Sequence, residues 1–224
     1  MNFTTLIGNI AFWNNFAPWY EKWISRGEYH RLIVNEISHM IEPGWNVMDI
    51  GAGTGALSIP LSSLGCNVKA LEPLREMRHI LNNKIASLNI SNINVYSDSW
   101  NDIPVNSVKG MDLVIACNSL HLVRGGLMKG MTRVFESMAS YICLVTEVNQ
   151  GISIDFKDIS NLQDSHNFLY IKNLALDSSF YFESIDEVRE LEALLNHKIN
   201  TTVEDGRLVQ KDTTDVAVLW WEKK

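Results

Sequence analysis

The run Asp49-Ile50-Gly51-Ala52-Gly53-Thr54-Gly55 suits a loop that holds a polar ligand. Glycines at 51, 53 and 55 let a backbone turn sharply and come close to a ligand, and a helix opening near Ala56 offers amide donors without helical partners. Glu72 follows Gly51 by 21 residues, at the end of the next apolar run. At that spacing an acid beside the loop accepts hydrogen bonds from ribose hydroxyls. Loop and acid together point to a nucleoside-containing cofactor. Gly51-x-Gly53-x-x-Ala56 also satisfies the dinucleotide fingerprint, so these residues alone do not name it.

Strands and helices must hold those residues. Apolar runs at 46–50, 67–72, 93–97, 112–117 and 141–148 read as short buried strands. Between them 55–64, 75–88 and 126–138 read as helices, the last with Leu127, Met131, Val134, Phe135 and Met138 on one face. This alternation predicts an α/β fold with a parallel sheet covered on both faces. Residues 1–43 read as helical, with Leu32, Ile33, Ile37, Met40 and Ile41 near the helical period and Pro43-Gly44 as the stop. Residues 151–183 have no clean period and are expected to hold loops, a short helix or a lid. Ser184 and Glu187 match a capping box, opening a helix with Ile185, Val188, Leu191 and Leu195 inward. Strands at 198–204 and 214–221, joined through Asp205-Gly206, are expected to close the sheet as an antiparallel pair. The chain thus divides, within one domain, into a helical cap (1–43), a cofactor-binding core (44–150) and a lid or substrate segment with the terminal helix and hairpin (151–224).

With 224 residues, 46% of them hydrophobic and 20% charged, the chain has the makings of one packed domain. A net charge of −7 disfavours nucleic-acid backbones and anionic membranes as main partners. Cys66, Cys117 and Cys143 lie far apart and form no CxxC, which argues against a disulfide framework or a zinc site and fits a reducing cytoplasm. The opening residues lack a basic start before an apolar run, and no stretch reaches eighteen apolar residues, so the protein is expected to be soluble, unexported and cytoplasmic. Oligomer formation stays open, and no metal is expected.

The string DIGAGTG resembles motif I of the class I S-adenosylmethionine-dependent methyltransferases of small-molecule type. LEP at 71–73 resembles their second motif, SDSW at 97–100 their adenine-contacting segment, and IACNSLHLV at 115–123 their fourth-strand motif. The resemblance implies a doubly wound, mostly parallel seven-stranded sheet of order 3-2-1-4-5-7-6 with an antiparallel last hairpin, helices on both faces and an N-terminal helical cap. It implies S-adenosylmethionine as cofactor, its methionine moiety over Gly51, Ala52, Gly53 and Gly55 with Asp49 organising the amino end. Glu72 would hold the ribose, Pro73 or Leu74 would pack on adenine, Asp98 would accept from the exocyclic amine, and Ser99 or Trp100 would cover the other face. For Asp98 an ordinary turn residue, and for Trp100 a core aromatic, remain alternative readings. Asn118 would line the methyl-transfer site.

Methyl transfer is an in-line displacement at an activated carbon, so the protein mainly aligns the reactants, and a base is needed only when the acceptor must lose a proton. His121 is the candidate base; a loop histidine bonded to backbone is the other reading. Trp13, Phe16, Trp19, Tyr20 and Trp23 form an aromatic-rich stretch of the kind such proteins fold over the cofactor. That places Tyr20 at the reacting end and Trp19, Tyr29, His30 and Arg31 along a substrate pocket. The same spacing also describes a buried helical stripe. The cysteines do not converge like the triad of arsenite methyltransferases, and Asn118-Ser119-Leu120-His121 stands where DNA amine methyltransferases carry NPPY, so a small molecule and not DNA is the expected acceptor. Two alternatives remain: an NAD(P)-dependent oxidoreductase, which would want more parallel βα units and a Tyr-x-x-x-Lys pair, and a non-catalytic S-adenosylmethionine-binding partner protein.

Overall fold

The computed structural model describes residues 10–148, 159 and 164–224. Five parallel strands, β1 (Asn46–Ile50), β2 (Asn67–Leu71), β3 (Ile93–Tyr96), β4 (Leu113–Cys117) and β5 (Tyr141–Glu147), build most of a seven-stranded sheet. Its order, β3-β2-β1-β4-β5-β10-β6, matches the expected doubly wound arrangement. The two last strands, β6 (His166–Asp177) and β10 (Thr213–Lys223), run antiparallel to their neighbours.

Because successive side chains on a strand point to opposite faces, β1, β2, β4 and β5 each feed two cores. Val47, Val68, Ile115 and Cys143 pack on one face with Ile33 and Ile37 of α2 (Tyr29–Ser38), Leu61 of α3 (Ser58–Ser63) and Leu81 of α4 (Arg75–Ser87). Met48, Val114, Ala116 and Ile142 pack on the other with Met131, Val134 and Phe135 of α5 (Gly126–Glu136). Trp220 and Trp221 are enclosed, one in each core, so neither forms a surface patch. Cys66 and Cys143 are likewise core residues.

Two expectations change. The sixth sheet strand is not 198–204 but His166–Asp177, within a stretch expected to be irregular; 151–158 and 160–163 of that stretch lie outside the described residues. β6 is an edge strand with mostly exposed side chains, Phe168, Leu169 and Ile171 among them, and its register with β10 shifts at Trp220/Trp221. Of its residues only Tyr170, Leu174 and Leu176 join the hydrophobic core, too few to write a clear alternation into the sequence. Asp205-Gly206 instead turns β8 (Thr202–Glu204) into β9 (Arg207–Gln210), both turn residues having positive φ, as a two-residue hairpin requires. With β7 (Phe180–Phe182) these strands form a separate three-stranded sheet.

The helical N-terminal segment begins, among the described residues, with α1 (Ile10–Arg26), which spans the molecule's two parts. Phe16 and Trp19 join Phe180, Phe182, Val188 and Leu191 in a satellite core between α1, β7 and α6 (Ile185–Leu195). At the other side Glu21 pairs with Lys84 at 2.7 Å, and the Asn14 amide oxygen accepts from the Glu76 N–H, both on α4. Among the described residues no helix is long and apolar enough to cross a membrane.

The capping pattern at α6 serves more than the helix. Ser184 Oγ accepts from the Glu187 N–H, while the Glu187 carboxylate turns to the N–H of Glu183, to Arg26 at 2.7 Å and to Lys22 at 2.8 Å. The Arg26 hydrogen bond leads the groups that hold the Glu187 carboxyl down at about 2, so its stabilising effect is present above the ordinary carboxylate range and is lost as pH falls from about 4.5 to about 2. Glu187→Gln is expected to cost about 1–3 kcal/mol in urea unfolding at neutral pH and to flatten the stability loss across that acidic window.

Candidate functional site

The glycine loop and the acid form one hydrogen-bonded unit. Gly51 N–H and Ala52 N–H both donate to Leu71 O at the end of β2, and Gly53 N–H donates to Glu72 Oε2 at 2.7 Å. Glu72 Oε1 accepts from Leu74 N–H at 2.7 Å, and Arg78 donates to the Glu72 carbonyl. The loop therefore does not present the row of free amides expected from a helix start: Gly55, at φ +91, delays α3 to Ser58, and the loop amides bind the neighbouring strand end.

Each glycine answers a different constraint, and all three have positive φ. A Cβ on Gly51 would lie far inside contact with Ser119 Cβ, just past β4, where Ser119 Oγ donates to Ile50 O. A Cβ on Gly55 would meet Leu81 Cδ1 at 2.5 Å. Only Gly53 turns toward the cap, where its Cβ would lie 3.3 Å from Tyr20 Cε1. Thr54 between them is fully enclosed, and its hydroxyl has no partner.

Burial sets the charges here. The Asp49 carboxyl, enclosed beneath the loop and bonded to Ser58 Oγ at 2.6 Å, is pushed up to about 6, burial outweighing that bond. Burial raises Glu72 to about 7 despite its two amide donors, with the Asp49 charge adding to the rise.

The cap brings Tyr20, Tyr29 and His30 to this end of the sheet. Tyr20 Oη lies 3.4 Å from His30 Nε2, while His30 Nδ1 is enclosed without a partner. Burial holds the imidazole down at about 3, keeping it neutral. Burial first, then Cys117, Glu72 and Asp49, raises the Tyr20 hydroxyl far above its ordinary value. Asn118, in left-handed backbone at φ +48, donates from Nδ2 to Tyr29 Oη at 2.9 Å and accepts on Oδ1 from the Glu147 N–H. Both ends of its amide are committed to holding the cap against β5.

Other expected site residues separate from this group. Trp19 is packed in the satellite core with Lys22 over its ring, and Arg31 points to solvent and pairs with Glu28, so neither lines the pocket. Trp100 is not an adenine cover but a core residue: its indole N–H donates to Gly130 O, and Arg133 lies over its ring. Ser99 Oγ accepts from Asn101 N–H within its own turn, Pro73 and Asp98 are exposed, and Leu74 is half-buried at the start of α4. His121 sits in a short 3₁₀ turn after β4, its basicity lowered by burial. Sequence reasoning missed Ser58, Ser119 and Glu147, and left Cys117 without a role; none carries a local motif, and only the convergence of strand ends assembles them.

A family model described as a methyltransferase domain matches residues 47–139, the stretch from β1 through α5. The fold of the chain is that of the class I methyltransferases. Its structure is similar to a TehB-like S-adenosylmethionine-dependent methyltransferase of Corynebacterium glutamicum (TM-score 0.62, 13% identity, covering 96% of this chain and 100% of that one). It also resembles the YcgJ protein of Bacillus subtilis (TM-score 0.58, 13% identity, 87% and 97% covered). A third similar structure is the magnesium protoporphyrin IX methyltransferase of Synechocystis, solved with S-adenosylmethionine bound (TM-score 0.53, 14% identity, 85% and 77% covered). No curated protein matches the sequence significantly.

Gly51→Ala and Gly53→Ala each force an L-residue into left-handed backbone, at about 1–2 kcal/mol. Gly51→Ala should cost more in urea unfolding, because Ser119 must also move, and Ser119→Gly in that background should recover part of the loss.

Proposed function

We propose that this chain transfers the methyl group of S-adenosylmethionine to a small-molecule acceptor. The observation that carries the reading is the enclosed Glu72 carboxylate, hydrogen-bonded to the glycine loop through Gly53 and to the start of α4 through Leu74. Each oxygen keeps a second acceptor direction, which suits paired ribose hydroxyls. Two further features favour the fit: the Thr54 hydroxyl lacks a partner, and Gly53 leaves room beneath Tyr20 that a side chain would fill.

On this reading Glu72 holds the ribose, Leu74 with Pro73 borders the base, and Asp98, exposed after β3, accepts from its exocyclic amine. Ser99 borders the base from its turn. The backbone at Gly51, Ala52, Gly53 and Gly55 shapes the methionine end, and Asp49 fixes the loop through Ser58. Tyr20 closes that end from above, ordering and excluding water rather than taking a proton, since its hydroxyl resists ionisation. Asn118 keeps Tyr29 and β5 in register at the acceptor end, with His121 nearby in sequence as a neutral imidazole. The bound cofactor supplies a methyl group on a sulfonium, already activated for displacement. The nicotinamide reading loses ground because the sheet closes after β5 with antiparallel strands instead of further parallel βα units.

Thermal-shift titration tests this directly: S-adenosylhomocysteine should stabilise the protein and NAD(H) should not, whereas the reverse would overturn the reading. Glu72→Gln should weaken S-adenosylhomocysteine binding by about 10–100-fold. Because Glu72 accepts best when ionised and titrates at about 7, wild-type affinity should rise by about tenfold from pH 6 to pH 8, a slope the variant lacks.

A further inference from the structure

The hydrogen bond between Asn118 and Tyr29 has a fixed direction. The backbone N–H of Glu147 can only donate, so the Asn118 atom 3.0 Å from it is the amide oxygen, and the amide nitrogen is the end that faces Tyr29 Oη at 2.9 Å. The phenol oxygen therefore accepts in that bond, and its own proton points elsewhere. Among the described residues none takes that proton. Tyr29 is 2% exposed, and burial above all keeps its hydroxyl protonated, far above the ordinary value. An enclosed donor without an acceptor is costly, and an oxygen atom of a bound molecule removes the cost.

Contacts place this hydroxyl where a ligand is expected. Asn118 follows β4 directly and its N–H bonds to Val145 O of β5, while the next residue, Ser119, packs against Gly51 just past β1. In the order β3-β2-β1-β4 the winding reverses between β1 and β4, and open α/β sheets bind ligands beyond the carboxyl ends of their strands at such a switch point. The Tyr29 ring lies 5.0 Å from that of His30, whose Nε2 is 3.4 Å from the hydroxyl of Tyr20 over Gly53. His30 Nδ1 is enclosed without a partner. Two adjacent residues, each more than nine-tenths buried, thus leave polar capacity unused in one roof.

Resting on the methyltransferase reading, we infer that Tyr29 selects the methyl acceptor: its hydroxyl donates to an acceptor oxygen, in a hydroxyl, carbonyl or carboxylate group, and Asn118 is the positioning residue that keeps the phenol proton free for it. The oxygen so held is a neighbour of the reacting atom and not that atom itself, because a donor on the attacking atom draws off the electron density that attack needs. A molecule without that oxygen leaves the Tyr29 proton unmatched in an enclosed site and is rejected, the asymmetry by which polar sites discriminate. His30 Nδ1 suits the second polar atom of such a group, taking the proton of a hydroxyl in one tautomer and giving one to a carboxylate oxygen in the other.

The full chain, incubated with methyl-labelled S-adenosylmethionine and a small-molecule extract of the native host, should label a product, and the extract fraction that supplies it serves as the acceptor titrant. Tyr29→Phe should raise the KM for that fraction about 10–100-fold and leave S-adenosylhomocysteine affinity within about twofold of wild type. Asn118→Asp separates the donor from the ring. At pH 8, above the value of about 6 that enclosure gives Asp49, one carboxylate oxygen accepts from the Glu147 N–H and the other draws the Tyr29 proton. The ring stays and the donor is spent, so the same rise in KM is expected with no fall in melting temperature. The double variant should lose no more than either single one, since all three remove one bond. An Asn118→Asp protein with the wild-type KM, or losses that multiply in the double variant, overturns the inference and leaves methyl transfer standing. So does a fall in S-adenosylhomocysteine affinity with 5′-methylthioadenosine affinity unchanged, which assigns the oxygen to the cofactor's carboxylate. Absence of S-adenosylhomocysteine binding by the wild type, or binding with no labelled product, overturns the enzyme reading and the inference with it.

Discussion

The carboxylate of Glu72 joins three separate pieces of chain at one enclosed point. Its oxygens take the amides of Gly53 and Leu74, and its own carbonyl takes the Arg78 guanidinium, so the glycine loop, the end of β2 and the first turn of α4 move as a body. An enclosed carboxylate is costly to keep charged unless donors surround it. Here the donors are main-chain groups whose positions the sheet dictates, and Asp49 close by sharpens the demand for a compensating cation. The strand ends are thus arranged around a local excess of negative charge before any ligand arrives.

The cap sits on this arrangement without being part of the sheet. α1 reaches α4 through Glu21 and Asn14, and reaches α6 through Lys22 and Arg26 on Glu187. Between those anchors it carries Tyr20 over Gly53. The small second sheet therefore acts at a distance: it holds one end of a helix whose middle roofs the site. Asn118 makes the complementary connection from below, bonding Tyr29 of α2 and the backbone of β5 with one side chain.

Much of this was legible in the sequence wherever burial on two faces forces a repeating pattern. β1 falls at 46–50 as its apolar run predicts, and α4 and α5 follow their periodicities to within two residues at each end. The edge strand β6 is hard to read because only a few of its residues are buried, so the alternation that burial writes into a strand is weak there. Glycine types were legible while their reasons were not: only folding brings Ser119 to Gly51 and Leu81 to Gly55. Arg31 and Trp19 were misplaced through helix phase. On α2, Tyr29, Ile33 and Ile37 recur at four-residue steps and set the inward face, which leaves Arg31 turned out; on α1, Trp19 follows Phe16 toward the satellite core. Glu147 has no local signature, for its meaning comes from the amide of a residue 29 positions earlier.

Cys117 draws its significance from the same field of carboxylates. Thiols are alkylated as thiolates, and a methyl donor bound beside a reactive cysteine would slowly inactivate its own enzyme. Burial, then Asp49 and Glu147, raises the Cys117 thiol far above its ordinary value, so the sulfur remains protonated and a poor nucleophile. Burial, with the two carboxylates behind it, thereby keeps a thiol at the end of β4 unreactive.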